Sequence, residues 1–275
     1  MKKSTFRKIR DLVYSNSGIS LTEKKYALVQ ARIAKRLRIL GLNSYEDYID
    51  YISGDKHEEE MVNLLNVIST NTTSFFRESD HFDILSDAVK QWRSEGQKKF
   101  RFWSAACSTG EEPYTMAMIL NEIIEDKGVD LKILATDISI DALQACREGI
   151  YTEEKLKPVS EALKKKYFIR EKNEKNVLYR ADHSLKRFTT FARMNLSKPP
   201  YPMKGPFDVI FCRNVMIYFD NRVRQRMIRE MSRLIKPGGY LLIGHSETLM
   251  GLESDFKTIR PSVYQSQGAG KPVTV

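Results

Sequence analysis

The chain has 275 residues, 41% hydrophobic and 10% aromatic, enough to bury one substantial core and a second small one, so two domains are expected. No window approaches the ~20 consecutive apolar residues of a membrane span, and the three scattered cysteines, Cys107, Cys146 and Cys212, fit neither a disulfide framework nor a zinc site; a cytoplasmic protein without membrane insertion is expected. The formal charge of +10 is uneven: residues 1–40 hold eleven Lys or Arg against Asp11 and Glu23, and residues 41–60 hold seven acids against Lys56, which favours a localised basic face over an evenly solvated surface.

From Thr22 to Leu40, Tyr26, Val29, Ile33, Leu37 and Leu40 recur at three- and four-residue steps, the stripe of an amphipathic helix. Its other faces carry Arg32, Lys35, Arg36 and Arg38 among others, and Gly41 supplies a stop. Ser44 starts a short helix through Tyr48, Ile49 and Ile52, and Glu58 to Val67 reads as another. Residues 1–70 are therefore expected to form a basic helical domain, and 71–97 a connecting segment.

Beyond residue 97, short β-rich runs alternate with helical segments, the pattern of a doubly wound α/β domain over 98–265. Phe100–Ser104 precedes the helix Pro113–Ile124, and Leu131–Thr136 ends at Asp137 before the helix Asp141–Glu148. Residues 151–193 interrupt this with a lysine-rich helix, Glu161–Tyr167, and alternating runs at Val177–Tyr179 and Phe188–Phe191, read as an inserted antiparallel subdomain. Phe207–Cys212, the helix Asn221–Leu234, the Pro237-Gly238-Gly239 turn and the strand Tyr240–Gly244 complete the domain, and residues 266–275 read as a mobile tail.

In such a sheet a nucleotide-like ligand crosses the carboxyl ends of the strands, over a small-residue turn and beside an acid positioned for the ribose. The turn is Ala105–Gly110 and the acid Asp137. With Gly110 alone the pyrophosphate pattern G-x-G-x-x-G is missing, and Glu111 and Glu112 would repel a pyrophosphate, which favours a ligand without one, such as S-adenosylmethionine. One of these acids can pair with that cofactor's amino group or sulfonium, although an acid here also suits a helix N-terminus.

Five segments are more specific: S-T-N-T-T-S-F-F-R-E at 69–78, F-W-S-A-A-C-S-T-G-E-E-P-Y at 102–114, F-D-V-I-F-C-R-N-V-M-I-Y-F at 207–219, I-K-P-G-G at 235–239 and G-H-S-E at 244–247. Together they resemble the CheR-type chemotaxis receptor methyltransferases over nearly the whole chain. The resemblance implies a Rossmann-like methyltransferase that converts chemoreceptor glutamates to methyl esters, leaving S-adenosylhomocysteine. The implied cofactor contacts are Asn71, Thr73, Arg77, Glu112, Asp137, Asn195, Leu196, Arg213 and Asn214, with Arg77 and Tyr218 near the transferred methyl. It also implies a monomer recruited from the cytoplasm to receptor arrays, partnered by the receptors' helical cytoplasmic domain, and the basic residues Arg32, Lys35, Arg36 and Arg38 suit a glutamate-rich helical surface. The chemistry is consistent: a glutamate with a pKa near ~4.3 is already an anion at neutral pH, so alignment rather than general-base catalysis is the task.

One departure concerns the loop Arg170 to Asn176, which lacks the glycine of family members that tether a receptor tail peptide there, and so argues against tethering. Nucleic acid is not expected as a partner: Lys198-Pro199-Pro200-Tyr201 precedes the strand that the N-P-P-Y motif of amino-group methylases follows. His57, His81, His183 and His245 show no metal-ligand spacing, so no metal is expected, and Cys107 is assigned to packing.

Overall fold

The computed structural model describes residues 1–54, 57–69, 71–124, 128–172 and 177–268. Its first helix, α1 (Lys3–Ser17), has no counterpart in the sequence reading above. It buries Phe6, Ile9 and Val13, an apolar stripe hidden in a charged stretch, and stops at Gly18, whose left-handed backbone (φ 70°) lets its N–H reach Tyr14 O. A 3-10 turn at Glu23–Lys25 leads into α2 (Tyr26–Leu40), which buries Val29, Ile33 and Leu37. A reciprocal capping box between Ser44 and Asp47 starts α3 (Tyr45–Ser53), and α4 (His57–Ile68) closes the helical domain.

The four basic residues of α2 divide. Arg36 is one turn beyond Ile33 on the same face; it is buried, forks onto Glu60 at 3.0 and 2.5 Å, and Glu60 also accepts from the Tyr48 hydroxyl at 2.7 Å. Arg32 donates to the carbonyls of Val67, Ile68 and Ser69 at 2.6–2.9 Å, capping the end of α4 where the chain leaves for the connecting segment. The expectation that all four form one outward basic face is therefore corrected: Arg32 and Arg36 serve the domain's interior, and only Lys35 and Arg38 are exposed.

The second domain follows with α5 (Asp80–Ser94), β1 (Lys99–Ser104), α6 (Glu111–Ile123), β2 (Asp130–Asp137), α7 (Ile140–Glu148) and β3 (Ile150–Thr152). Next come α8 (Glu161–Tyr167), β4 (Phe168–Lys172), β5 (Val177–Ala181), the single turn α9 (His183–Lys186) and β6 (Thr189–Arg193). The chain ends through β7 (Phe207–Cys212), a 3-10 turn (Met216–Tyr218), α10 (Asn221–Leu234), β8 (Ile235–Ile243), β9 (Phe256–Arg260) and β10 (Val263–Ser266). The main sheet has the order β6-β2-β1-β7-β8-β10-β9; its first five strands are parallel, while β10 pairs antiparallel with both neighbours. Chain direction across the sheet reverses between β1 and β7, so the crevice at their carboxyl ends is the expected ligand position.

Three details differ from expectation. The run Phe188–Phe191 does not belong to the inserted sheet, which is β3-β5-β4; it leads into β6, which adds in parallel to the edge of the main sheet beside β2. Period-two alternation cannot say which of two sheets a strand joins. Strand β8 begins at Ile235, before the Pro-Gly-Gly turn, with a register irregularity, and Ser266 pairs with Phe256 rather than belonging to a tail. Residues 173–176 of the glycine-free loop and 269–275 of the tail lie outside the described residues.

The core is divided by the sheet, not by the domain boundary. One apolar cluster runs from Phe6 and Ile33 of the helical domain through Trp103 to Met227 and Met231 of α10; the other lies on the opposite face around Phe82, Phe102 and Met118. The helical domain is therefore docked through a continuous core, with Asn16 O bonded to Asn195 Nδ2 at 2.7 Å and Tyr14 Oη to Asp220 at 2.6 Å. Gly18 packs so closely on Ser197 that a Cβ there would collide with it.

Removing Arg36 strands a buried carboxylate. Arg36→Ala is expected to destabilise the protein to urea by about 3 kcal/mol, whereas Arg38→Ala should leave the midpoint unchanged. Equal effects would contradict this division of the helix.

Candidate functional site

At the crevice a cleft with about 1160 Å³ of empty space, its open mouth included, is roomy enough for a nucleoside-sized ligand. It is lined by all ten residues that the resemblance assigns to the cofactor or the transferred methyl: Asn71, Thr73, Arg77, Glu112, Asp137, Asn195, Leu196, Arg213, Asn214 and Tyr218. The helical domain adds a wall that sequence reasoning missed, including Ser17, Ile19, Lys25 and Leu28. An isolated bridge between Ile19 and Phe219 and a bond from Ser20 N–H to Tyr218 O (2.8 Å) fasten this wall to the Tyr218 turn.

The connecting segment enters the cleft anchored by Phe75, which is buried with edge-on contacts to Tyr151 (5.0 Å) and Phe168 (5.7 Å). Phe76 and Glu78 take left-handed backbone (φ 53° and 52°), as do Ser108 (49°) and Asn214 (57°). Each such non-glycine conformation costs roughly 1 kcal/mol or more, and these four cluster on the cleft or beside Arg77. Arg77 bonds to Thr72 O at 3.0 Å, while Glu78 turns toward β7.

After β1 the small-residue turn reaches Gly110 (φ 98°), where a Cβ would sit 2.7 Å from the Tyr151 hydroxyl; conformation and close approach both require glycine. The two acids that follow separate. Glu111 is buried away from the cleft and held by Lys155 at 2.6 Å, and Glu112 faces the cleft, accepting from Ser104 Oγ at 2.6 Å. Asp137 accepts from the N–H groups of Ser108 (2.8 Å) and Ser139 (2.9 Å). Ser108 Oγ, on the cleft wall, is buried with no hydrogen-bond partner, a polar atom that a ligand would satisfy.

Arg213 is the cation of the floor. Its guanidinium lies 5.4 Å from the Phe82 ring and 5.7 Å from Phe211, donates to Glu78 at 3.0 and 3.2 Å and to Arg77 O, and is 3.4 Å from Glu112. Asn214 Nδ2 bonds to the other Glu78 oxygen at 3.2 Å. Glu247 of the G-H-S-E segment accepts from the N–H groups of Gly244, Asn214 and Ile217, fixing the turn that carries Tyr218. Nothing in the local sequence of G-H-S-E marks Glu247 for this role, which depends on the N–H groups of Asn214 and Ile217, 33 and 30 residues away. Asn195 lines the cleft, but its amide is committed to Asn16 and Ser197.

The histidines are less dispersed than their spacing suggests. His81 and His245 meet edge-on at 5.0 Å, and their ring nitrogens lie with a Glu78 oxygen in a group close enough to surround an ion. Glu78 is already held by Arg213 and Asn214, His81 by Ser262 and His245 by Asp80. Burial first, then Arg213, drives the His81 pKa down to about 4, so it is neutral at pH 7.

The floor thus carries Glu78 and Glu112 against one guanidinium at ion-pair distance, that of Arg213, with Arg77 acting on Glu112 from farther away. Despite burial, Arg213 and Asn214 hold Glu78 below its ordinary pKa; burial pushes Glu112 up against the opposing pull of Arg213 and Ser104, and likewise Asp137 against its backbone donors. An excess buried carboxylate beside an unsatisfied hydroxyl fits a cationic, hydroxyl-bearing ligand, and S-adenosylmethionine, with its ammonium, sulfonium and ribose, is one. Fold and cleft together define the class: an S-adenosylmethionine-dependent methyltransferase.

Comparisons with known proteins narrow the class. Residues 71–264 match the family model described as CheR methyltransferase, SAM binding domain, and residues 4–69 match CheR methyltransferase, all-alpha domain. A chemotaxis protein methyltransferase of Borreliella burgdorferi is 40% identical over 271 residues, covering 96% of this chain and 94% of the relative. That of Escherichia coli is 39% identical, covering 94% and 89%, and chemotaxis protein methyltransferase 2 of Pseudomonas aeruginosa is 35% identical, covering 95% and 92%. The chain belongs to the CheR methyltransferase family.

Because burial raises Glu112, the folded protein binds its proton more tightly than the unfolded chain does; ionised Glu112 therefore costs stability above its folded pKa, and the cost fades as pH falls through it. Glu112→Gln is expected to raise the denaturation midpoint of the free protein at pH 7.5 while weakening S-adenosylhomocysteine, measured by calorimetry, at least ~10-fold. For the unaltered chain, affinity should fall on acidification through the raised carboxyl range, with protons released on binding. A less stable variant with undiminished affinity would contradict this.

Proposed function

We propose that this protein methylates glutamate side chains on the helical cytoplasmic domain of chemoreceptors, giving glutamate methyl esters that serve chemotactic adaptation, and that it works in the cytoplasm at receptor arrays. The observation that carries the reading is the convergence on one cleft of Arg77 and Tyr218 with an acidic floor suited to a cationic methyl donor. In this reading Glu112 holds the amino group of S-adenosylmethionine, Asp137 the ribose hydroxyls, and the Asn195–Leu196 segment flanks the adenine. Asn71, Thr73, Arg213 and Asn214 shape the rest of the pocket.

When bound, S-adenosylmethionine supplies an electrophilic methyl on a sulfonium. The protein's task is alignment, since the acceptor carboxylate is already ionised at neutral pH. Arg77, with donors left beyond its bond to Thr72 O, orients a carboxylate oxygen. Tyr218, whose hydroxyl has no hydrogen-bond partner among the described residues, holds an acceptor oxygen and closes the mouth to water. The exposed Lys35 and Arg38, with Arg7 and Lys8 of α1, give an acidic helical partner a basic surface. Among the described residues no helix is long and apolar enough to cross a membrane.

Transfer of radiolabelled methyl from S-adenosylmethionine to chemoreceptor-containing membranes should give label that mild base releases as methanol. Tyr218→Phe is expected to lower kcat/KM by ~10-fold and Arg77→Ala by ~100-fold. Base-stable label, or no transfer by a chain that binds S-adenosylhomocysteine, would overturn the acceptor assignment.

A further inference from the structure

An acceptor carboxylate brings a negative charge into a cleft whose floor already carries an excess of acid, so recognition needs a cation that the floor has not neutralised. Among the described residues lining the cleft, three side chains are cationic: Arg213, Arg77 and Lys25. Arg213 is bound to Glu78 and Glu112. Arg77 keeps its charge, its side chain bonded among the described residues only to the Thr72 carbonyl, and is the cation already assigned to orienting a carboxylate oxygen, which leaves Lys25 as a second, unassigned one. Lys25 has no hydrogen-bond or carboxylate partner for its ammonium among the described residues; its Nζ lies 4.7 Å from the centroid of the Tyr218 ring.

The position is built. Lys25 ends the 3-10 turn Glu23–Lys25, its N–H bonded to Thr22 O at 2.9 Å, and the bonds joining Ile19 and Ser20 to Phe219 and Tyr218 fix the same stretch against the Tyr218 side of the cleft. Burial and the neighbouring Arg32 both disfavour its charge, which an arriving anion would restore.

We propose that Lys25 is the substrate-recognition cation of the cleft: its ammonium pairs with the acceptor carboxylate and makes the site choose a glutamate side chain over the corresponding amide. The inference rests on the acceptor class of the preceding subsection. In the transfer, a carboxylate oxygen forms a C–O bond to the methyl carbon while the S–CH₃ bond breaks and its electron pair stays on sulfur. Carboxylate and sulfonium become a neutral ester and a neutral thioether, and no proton moves. The charge that Lys25 pairs with is thus greatest before reaction and gone afterwards, so its contribution lies in binding the acceptor and is released with the product. Lys25 should therefore govern KM for the acceptor far more than kcat.

The test uses the full chain and a purified chemoreceptor cytoplasmic fragment with glutamate at its methylation positions, and the same fragment with glutamine there as competitor. Lys25→Met keeps an unbranched side chain of similar length without the charge, Lys25→Gln is a second neutral variant, and Lys25→Arg keeps the charge. Both neutral variants are expected to raise acceptor KM about 30-fold or more, to hold kcat within about threefold and to bind S-adenosylhomocysteine as the unaltered chain does. Lys25→Arg should recover most of the KM. The glutamine fragment should compete weakly with the glutamate fragment on the unaltered chain, and this preference should vanish in Lys25→Met. An unchanged KM, a loss confined to kcat, an arginine variant as impaired as the methionine one, or lost S-adenosylhomocysteine binding would each overturn the proposal. If the unaltered chain binds S-adenosylhomocysteine but transfers no methyl to the fragment, the acceptor assignment itself fails, and the role of Lys25 falls with it.

Discussion

Arg213, at the end of β7, is the cation that ties two other stretches of the chain together. Packed beside two phenylalanine rings, it reaches Glu78 in the connecting segment, Glu112 on α6 and the carbonyl of Arg77. A guanidinium suits this position because its planar donors serve several acceptors at once and its charge remains under burial. Its neutralising power is nevertheless insufficient for two carboxylates. Burial disfavours the charge at Glu112, and on the proposed reading a cationic ligand relieves that cost. Local strain is placed in the same region: left-handed backbone occurs at Ser108 and Asn214, which line the cleft, and on either side of Arg77 at Phe76 and Glu78.

The helical domain is part of this arrangement. Its core runs without interruption into α10, and the stretch from Asn16 to Ser20 is bonded to Asn195 on one side and to the Tyr218 turn on the other. Arg32 holds the end of α4 where the connecting segment departs. One domain therefore sets where the segment that carries Arg77 departs and supplies the wall that contains Lys25.

The alternating α/β pattern, the turn ending in Gly110 and the acid after β2 were legible in the sequence because each follows from local spacing and backbone chemistry. The resemblance supplied the remaining cleft residues, all of which line one cavity. What was not legible depended on tertiary partners. Arg36 looks like surface charge until Glu60 and Tyr48 are packed against it, although its three-residue step from Ile33 was a usable signal. The charged start of α1 masked the stripe Phe6, Ile9 and Val13. Local spacing does not separate Glu111 from Glu112, and only the resemblance singled out the latter; the helix's rotation directs one to Lys155 and the other into the cleft. Lys25 lies far in sequence from every motif, so nothing local marks it as facing Tyr218.

On the proposed reading, the carboxylate of Glu112, only partly compensated by Arg213 at 3.4 Å, recognises the cofactor's ammonium. A calorimetric cycle with S-adenosylhomocysteine and its analogue lacking the amino group, on the unaltered chain and on Glu112→Gln, isolates that pairing. The account expects loss of the amino group to weaken binding about 30-fold, or about 2 kcal/mol, in the unaltered chain and hardly at all in the variant. Equal losses in both would show that the ammonium is recognised elsewhere and that the acidic floor has another purpose.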